Sequence, residues 1–211
     1  MKNARSLGER RIIEIIQSHI DQMPKITVPF GDDVSAFEIE GGKLVVLKTD
    51  MLVGKTDVPA GMSFWQAARK AVVMNVSDFA AKGVKPLVVL VAVGLPGKVS
   101  KKEVVQIADG LNVGAREYGA CVIGGDTGEA TDTVISVSVF GTAEKDKLML
   151  RSGAKPGDHL AVTGKFGKSP AGLKLLLNDL KAEKIQDPEI PPDHRIRFKV
   201  VFPFHVVIGR E

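Results

Sequence analysis

Cys121 is the only cysteine in the 211 residues, so no intrachain disulfide can form and packing must hold the fold. Aromatic residues are scarce at 5% while hydrophobic residues reach 44%, which leaves Val, Ile, Leu and Ala to build the core. Long apolar runs are missing too. The longest, Leu87 to Leu95, falls well short of the roughly 18 residues that span a bilayer. No apolar stretch follows the basic N-terminus as a secretory leader requires; Arg10 and Arg11 open an amphipathic segment instead. These absences point to a cytoplasmic protein with no membrane partner. The net charge of +4 is modest. It fits an anionic small ligand and an ordinary solvated surface alike, and no nucleic-acid partner is expected.

Hydrophobic periodicity supplies the elements. Ile12, Ile13, Ile15, Ile16 and Ile20 recur at helical spacing between about Ser6 and Gln22, and Pro24 ends that pattern. Strand-like runs follow at Val34 to Ile39 and Leu44 to Lys48, joined through Gly41-Gly42, a hairpin signal. Ser63 to Lys82 holds no proline or glycine, with Ser63 as N-cap and Gly83 as stop, and predicts a long helix. The β-branched run Val88 to Val93 predicts a buried strand, and Ser100 caps a helix to about Tyr118. Strands are expected at Ala120 to Ile123, Thr133 to Phe140 and His159 to Val162, with Gly124-Gly125 as a turn and a last helix from about Pro170 to Leu180. Hairpins mixed with crossovers make the class α+β.

The chemistry concentrates in aspartates at the ends of these elements. They are Asp32 and Asp33 after Gly31, Asp50 in Lys48-Thr49-Asp50, Asp78 in Asn75-Val76-Ser77-Asp78, and Asp126 in Gly124-Gly125-Asp126-Thr127. Taken singly, each has an ordinary reading as a turn, a cap or a solvent-facing residue. Asp78, deep in an Ala-rich helix, would cost several kcal/mol if it faced the core unpaired. Taken together, like charges at one place persist only when cations neutralise them, and oxygen ligands without His or Cys favour Mg²⁺ over zinc. Magnesium held by carboxylates usually keeps water and phosphate oxygens, which points to a nucleotide.

Read in order, these segments resemble the thiamine-monophosphate kinases of the aminoimidazole-ribonucleotide-synthetase superfamily. The resemblance runs from Leu7-Gly8-Glu9 through Gly31-Asp32-Asp33, Lys48-Thr49-Asp50-Met51-Leu52-Val53, Asn75 to Gly83, Gly124-Gly125-Asp126-Thr127 and Arg151 to Asp158, and continues into Thr163-Gly164 and Ala171-Gly172. It implies a magnesium set of Asp33, Asp50, Asp78 and Asp126, with Thr49 as a hydroxyl or backbone ligand and Asp32 in support. It also implies ATP binding by Gly125, Asp126 and Arg151, joined by Asp109. Two positions depart from the family pattern. Lys48 stands where bacterial members often carry a small hydroxyl residue. Asp57 stands where many place a substrate-contacting histidine, and an aspartate there can bind the cationic thiazolium or the aminopyrimidine.

The resemblance further implies ATP and thiamine monophosphate as reactants, several Mg²⁺ ions and a homodimer closed through its sheets into a barrel. An acceptor phosphate already ionised near neutral pH needs no general base, so no catalytic side chain is assigned. His19 and His159 fall on regular elements and read as structural. Residues 1–150 are expected to form the ATP- and magnesium-binding dimerisation domain, 151–186 the start of a second α/β domain, and 187–211 an atypical, truncated or aberrant tail. Two alternatives stay open: a sister synthetase or maturation enzyme of the same superfamily, and a non-catalytic nucleotide-binding dimerisation module.

Overall fold

Antiparallel pairing dominates the architecture, with one parallel pair at the edge. The computed structural model describes residues 3–21, 26–162, 167–178 and 206–209. In chain order the elements are α1 (Ala4–Leu7), α2 (Glu9–Gln17), β1 (Ile26–Val28), β2 (Ser35–Glu38), β3 (Lys43–Val53), α3 (Gly54–Asp57), α4 (Phe64–Ala81), β4 (Pro86–Leu95), α5 (Lys101–Arg116), β5 (Cys121–Glu129), β6 (Val134–Glu144), β7 (His159–Val162), α6 (Lys168–Leu177) and β8 (Val206–Gly209). Strands β1 to β6 form one sheet in the order β1-β2-β3-β6-β4-β5, and β7 pairs with β8 apart from it. Only β4 and β5 run parallel in the six-stranded sheet, as a strand pair joined by a helical crossover must. The α+β class read from the sequence holds.

Alternation along the strands sorts the two faces of this sheet. Leu44, Val46 and Leu52 of β3, Ile135, Val137 and Val139 of β6, and Val89 and Val91 of β4 are buried on one face. Helix α4 covers that face with Val72, Val76 and Phe79, and α5 packs on α4 through Ile107, Leu111 and Ala115. The long-helix expectation is met at its start by a reciprocal box: Ser63 Oγ accepts from Gln66 N–H, and Gln66 Oε1 accepts from Ser63 N–H. Ser100 and Glu103 repeat the device on α5. The opposite face carries Thr49, Met51, Leu90 and Ala92, all exposed.

Three sequence expectations change. The first helix is split, because Gly8 sits at φ +74° and ψ 162°, and α2 then buries none of its isoleucines. Gly124-Gly125 is no turn; β5 continues through it after a bulge at Ile123, since these residues pair with Leu90 and Val91 of β4. A Cβ on Gly125 would stand 1.7 Å from the Val91 carbonyl oxygen, so glycine is demanded by close backbone approach. Finally, β3 extends to Val53, which brings Lys48, Thr49 and Asp50 inside a strand. The expected break at Pro24, the Thr163-Gly164 segment and most of the atypical tail lie outside the described residues; within that tail Val206–Gly209 pairs antiparallel with β7.

Candidate functional site

Two acidic pairs meet along one side of α4, each gathered around a lysine. Strand alternation sends Lys48 and Asp50 of β3 to the helix-covered face, where Asp78 of α4 approaches them. Lys48 Nζ lies 2.7 Å from Asp78 Oδ2 and 3.1 Å from Asp50 Oδ1. The Asp78 carboxylate thus has the partner that its place in an Ala-rich helix calls for. Burial opposes the charge on Lys48, yet the hydrogen bond to Asp78 and the nearby charges of Asp50 and Asp78 raise its pKa above 10.5, the ordinary lysine value.

One helical turn further on, Lys82 projects from the same side of α4 as Asp78. Its Nζ lies 2.5 Å from Asp32 Oδ1 and 3.4 Å from Asp33 Oδ2. Arg151 completes this group: its backbone N–H donates to Asp32 Oδ2 at 2.9 Å, and its guanidinium reaches Asp33 Oδ1 at 3.5 Å. Partial burial works against the Asp32 carboxylate, but the Arg151 N–H, the Lys82 ammonium and the Asp33 N–H outweigh it and lower its pKa below 3.8. Four carboxylates and three cations thus alternate along α4. Lys48 entered the sequence reading only as a departure from the family pattern and Lys82 only within the Asn75 to Gly83 segment; neither was read as a partner of the acids. The available signals were the four-residue step from Asp78 to Lys82 and the two-residue step from Lys48 to Asp50, each of which shares a face.

The remaining candidates stand elsewhere. Asp126 lies opposite Ala92 in the β4–β5 ladder, and Ala92 lies opposite Ser136, which faces Met51; this row crosses the open face of the sheet. Asp126 is therefore three strands from β3 and on the other face from Asp50, not gathered with Asp50 and Asp78. The Thr49 hydroxyl also points to the open face, donating to the Val137 carbonyl at 3.2 Å and accepting from Ser138 Oγ at 3.0 Å. Asp57 Oδ2 accepts from Val53 N–H at 2.7 Å and closes the turn that forms α3, while Lys70 Nζ donates to the Asp57 carbonyl. Asp109 is exposed on α5, and Gly125 lies against Val91 as described.

The family described as AIR synthase related protein, N-terminal domain, matches residues 31–143, just over half of the chain. The chain belongs to this family. Inside the AIR synthase-related domain lie all the aspartates above and both lysines, whereas Arg151 lies just beyond it. A thiamine-monophosphate kinase of Pyrococcus horikoshii is 41% identical over 186 residues, covering 88% of this chain and 56% of that protein. Its counterpart in Nitrosopumilus maritimus is 38% identical over 178 residues, 84% of this chain and 54% of that protein. The solved structure of AaThiL complexed with AMPPCP and TMP is similar at 28% identity and a TM-score of 0.76, covering 88% of this chain and 57% of that one. The chain spans about half the length of the curated relatives it matches.

The donor chemistry suits magnesium. Every candidate ligand is a hard oxygen. Among the described residues no group of three His, Cys, Asp or Glu side chains could hold a metal by itself, so an ion here would complete its shell with water and ligand phosphate, as Mg²⁺ commonly does. Asn75, three residues before Asp78 on the same side of α4, is fully buried. Its Nδ2 donates to the Ala71 carbonyl at 3.0 Å, while its Oδ1 accepts no hydrogen bond from a described residue. No described helix is long and apolar enough to cross a membrane.

Proposed function

We propose that this chain carries the ATP- and magnesium-binding part of a thiamine-monophosphate kinase, cytoplasmic and dimeric. The reaction would move the γ-phosphoryl group of ATP to the phosphate of thiamine monophosphate, giving thiamine diphosphate and ADP. The observation that carries this reading is the convergence of Asp50 and Asp78, from a strand and a helix, on one cation position. The names of the relatives, and of the structure with AMPPCP and TMP, supply the substrate class.

Both reactants are strongly anionic, so the task is to neutralise charge and align the two phosphates. Bound Mg²⁺ would supply electrostatic stabilisation of the transferring phosphoryl group. Asp50 and Asp78 would hold one ion, with Asp33 close by along α4 and Asp126 on the open face beside the nucleotide. The Arg151 guanidinium, 63% exposed and tied only loosely to Asp33, is free to turn toward phosphate oxygens. Gly125, whose missing side chain lets β5 lie against Val91 of β4, sets the position of Asp126 next to it. Dimerisation is supported by the exposed Met51 and Leu90 on the open face and by β5 at the sheet edge, which a second copy would cover.

Thermal unfolding with a non-hydrolysable ATP analogue tests the reading. The wild-type chain should gain several degrees only when Mg²⁺ is also present, and Asp78→Asn and Asp126→Asn should each lose most of that gain. No Mg²⁺-dependent shift in the wild-type chain would refute the assignment. A turnover assay with thiamine monophosphate then separates a kinase from a module that binds nucleotide without making product.

A further inference from the structure

We propose that the Lys48 ammonium is the resident counter-ion of the Asp50–Asp78 pair, and that a divalent cation reaches these two carboxylates only by displacing it. The inference rests on the magnesium reading above and adds a residue that sets the ion concentration at which the site fills. Its basis is positional. The Lys48 Nζ sits within hydrogen-bond distance of one oxygen from each carboxylate, the place where an ion bridging them would also sit. Two neighbouring carboxylates with no cation between them repel, so the ion-free protein needs Lys48 there and the ion-loaded protein does not.

The surroundings allow exchange. Asp50 and Asp78 keep 36% and 25% of their side chains exposed, so an incoming hydrated ion can reach them. The lysine stem is flexible, and its ammonium can swing out while β3 stays locked to β6 through Lys48↔Val139 and Asp50↔Val137. Lys82, also set between two aspartates, lacks this freedom: its side chain is only 4% exposed, and Asp32 is held by two further backbone donors.

The test is a Mg²⁺ titration followed by thermal unfolding at a fixed, saturating concentration of the ATP analogue, on the full chain. Without divalent ion, Lys48→Met should unfold at a lower temperature than wild type. With it, the Mg²⁺ concentration at half-maximal stabilisation should fall at least tenfold, because no ammonium competes. The double variant Lys48→Met/Asp50→Asn should recover the metal-free stability and lose the tenfold gain. Should Lys48→Met fail to fold, Lys48→Gln, whose amide still donates to a carboxylate, is expected to shift the midpoint in the same direction. A wild-type chain that responds to Mg²⁺ and analogue, with a midpoint unchanged or raised in the Lys48 variants, overturns this inference and leaves the proposed function standing. A wild-type chain with no such response overturns both.

Discussion

Lys82 and Lys48 make a controlled pair: two ammonium groups, each between two aspartates and each beside α4, yet in different surroundings. Around Lys82 the packing is tight. Asp32 is 11% exposed and accepts from the ammonium and two backbone N–H groups, and the Lys82 carbonyl accepts from Met149 N–H at 3.2 Å. This cluster clasps the 31–33 loop, the end of α4 and the segment after β6 together, and it holds the Lys82 and Asp32 charges in place. Around Lys48, 15% exposed, the carboxylates of Asp50 and Asp78 are 36% and 25% exposed, and the described contacts to them are those of the ammonium. An ion pair closed by backbone hydrogen bonds serves as a structural joint; one held only by its own charges can exchange partners.

The largest effect expected from this contrast is the loss of the closed joint. Lys82→Met leaves Asp32, 11% exposed, without its cation, and removing one partner of a buried pair costs about 3 kcal/mol or more. Lys48→Met, in metal-free buffer, should cost only about 1 kcal/mol, because water screens its more exposed partners. Urea unfolding of both variants measures the difference. Equal losses would break the comparison.

A finer division runs inside the closed cluster. Asp32 accepts three hydrogen bonds, whereas Asp33 is 38% exposed and makes only longer contacts, at 3.4 and 3.5 Å. Asp32→Ala should therefore lower stability by about 2 kcal/mol, the scale of hydrogen bonds to a charged group, and Asp33→Ala by roughly 0.5 kcal/mol or less. The same pair should separate in binding: Asp33→Ala weakens the Mg²⁺-dependent response to the ATP analogue in a chain of nearly wild-type stability. If Asp32 proves the less damaging position, it is the exchangeable ligand and the assignment of the two aspartates reverses.

Much of this scaffold was legible because local signals and tertiary packing agree. The Ser63 and Ser100 boxes, the apolar period of α4 and the alternation of β6 all point one way, so α4 with Asp78, α5 and the strand β6 could be placed from sequence. Two kinds of feature were not. Gly124-Gly125 carries the composition of a turn, and only the close approach of Val91 in the parallel ladder shows why glycine serves a strand there. The site was read as one set of acids, although strand alternation alone separates Thr49 from Asp50, and only the sheet order puts Asp126 three strands away. The partners of the acids went unread because a lysine gives no motif of its own; it acquires meaning from the carboxylate it reaches across the fold.

The smallest predicted effect concerns pH and separates the two clusters by the end of the scale at which each fails. Asp32 has a folded pKa below 3.8, so its contribution is complete above about pH 4 and is lost as pH falls toward the lowered value. Lys48 has a folded pKa above 10.5, so its contribution is complete below about pH 10 and is lost as pH rises through the raised value. Between pH 5 and 9 neither group should give stability any slope. Unfolding free energies across the acid limb should decline less steeply in Asp32→Asn than in wild type, and those across the alkaline limb less steeply in Lys48→Met. An acid limb unaltered by Asp32→Asn would mean that the Lys82 joint is no tighter than the Lys48 one, and the structural distinction between them would fall.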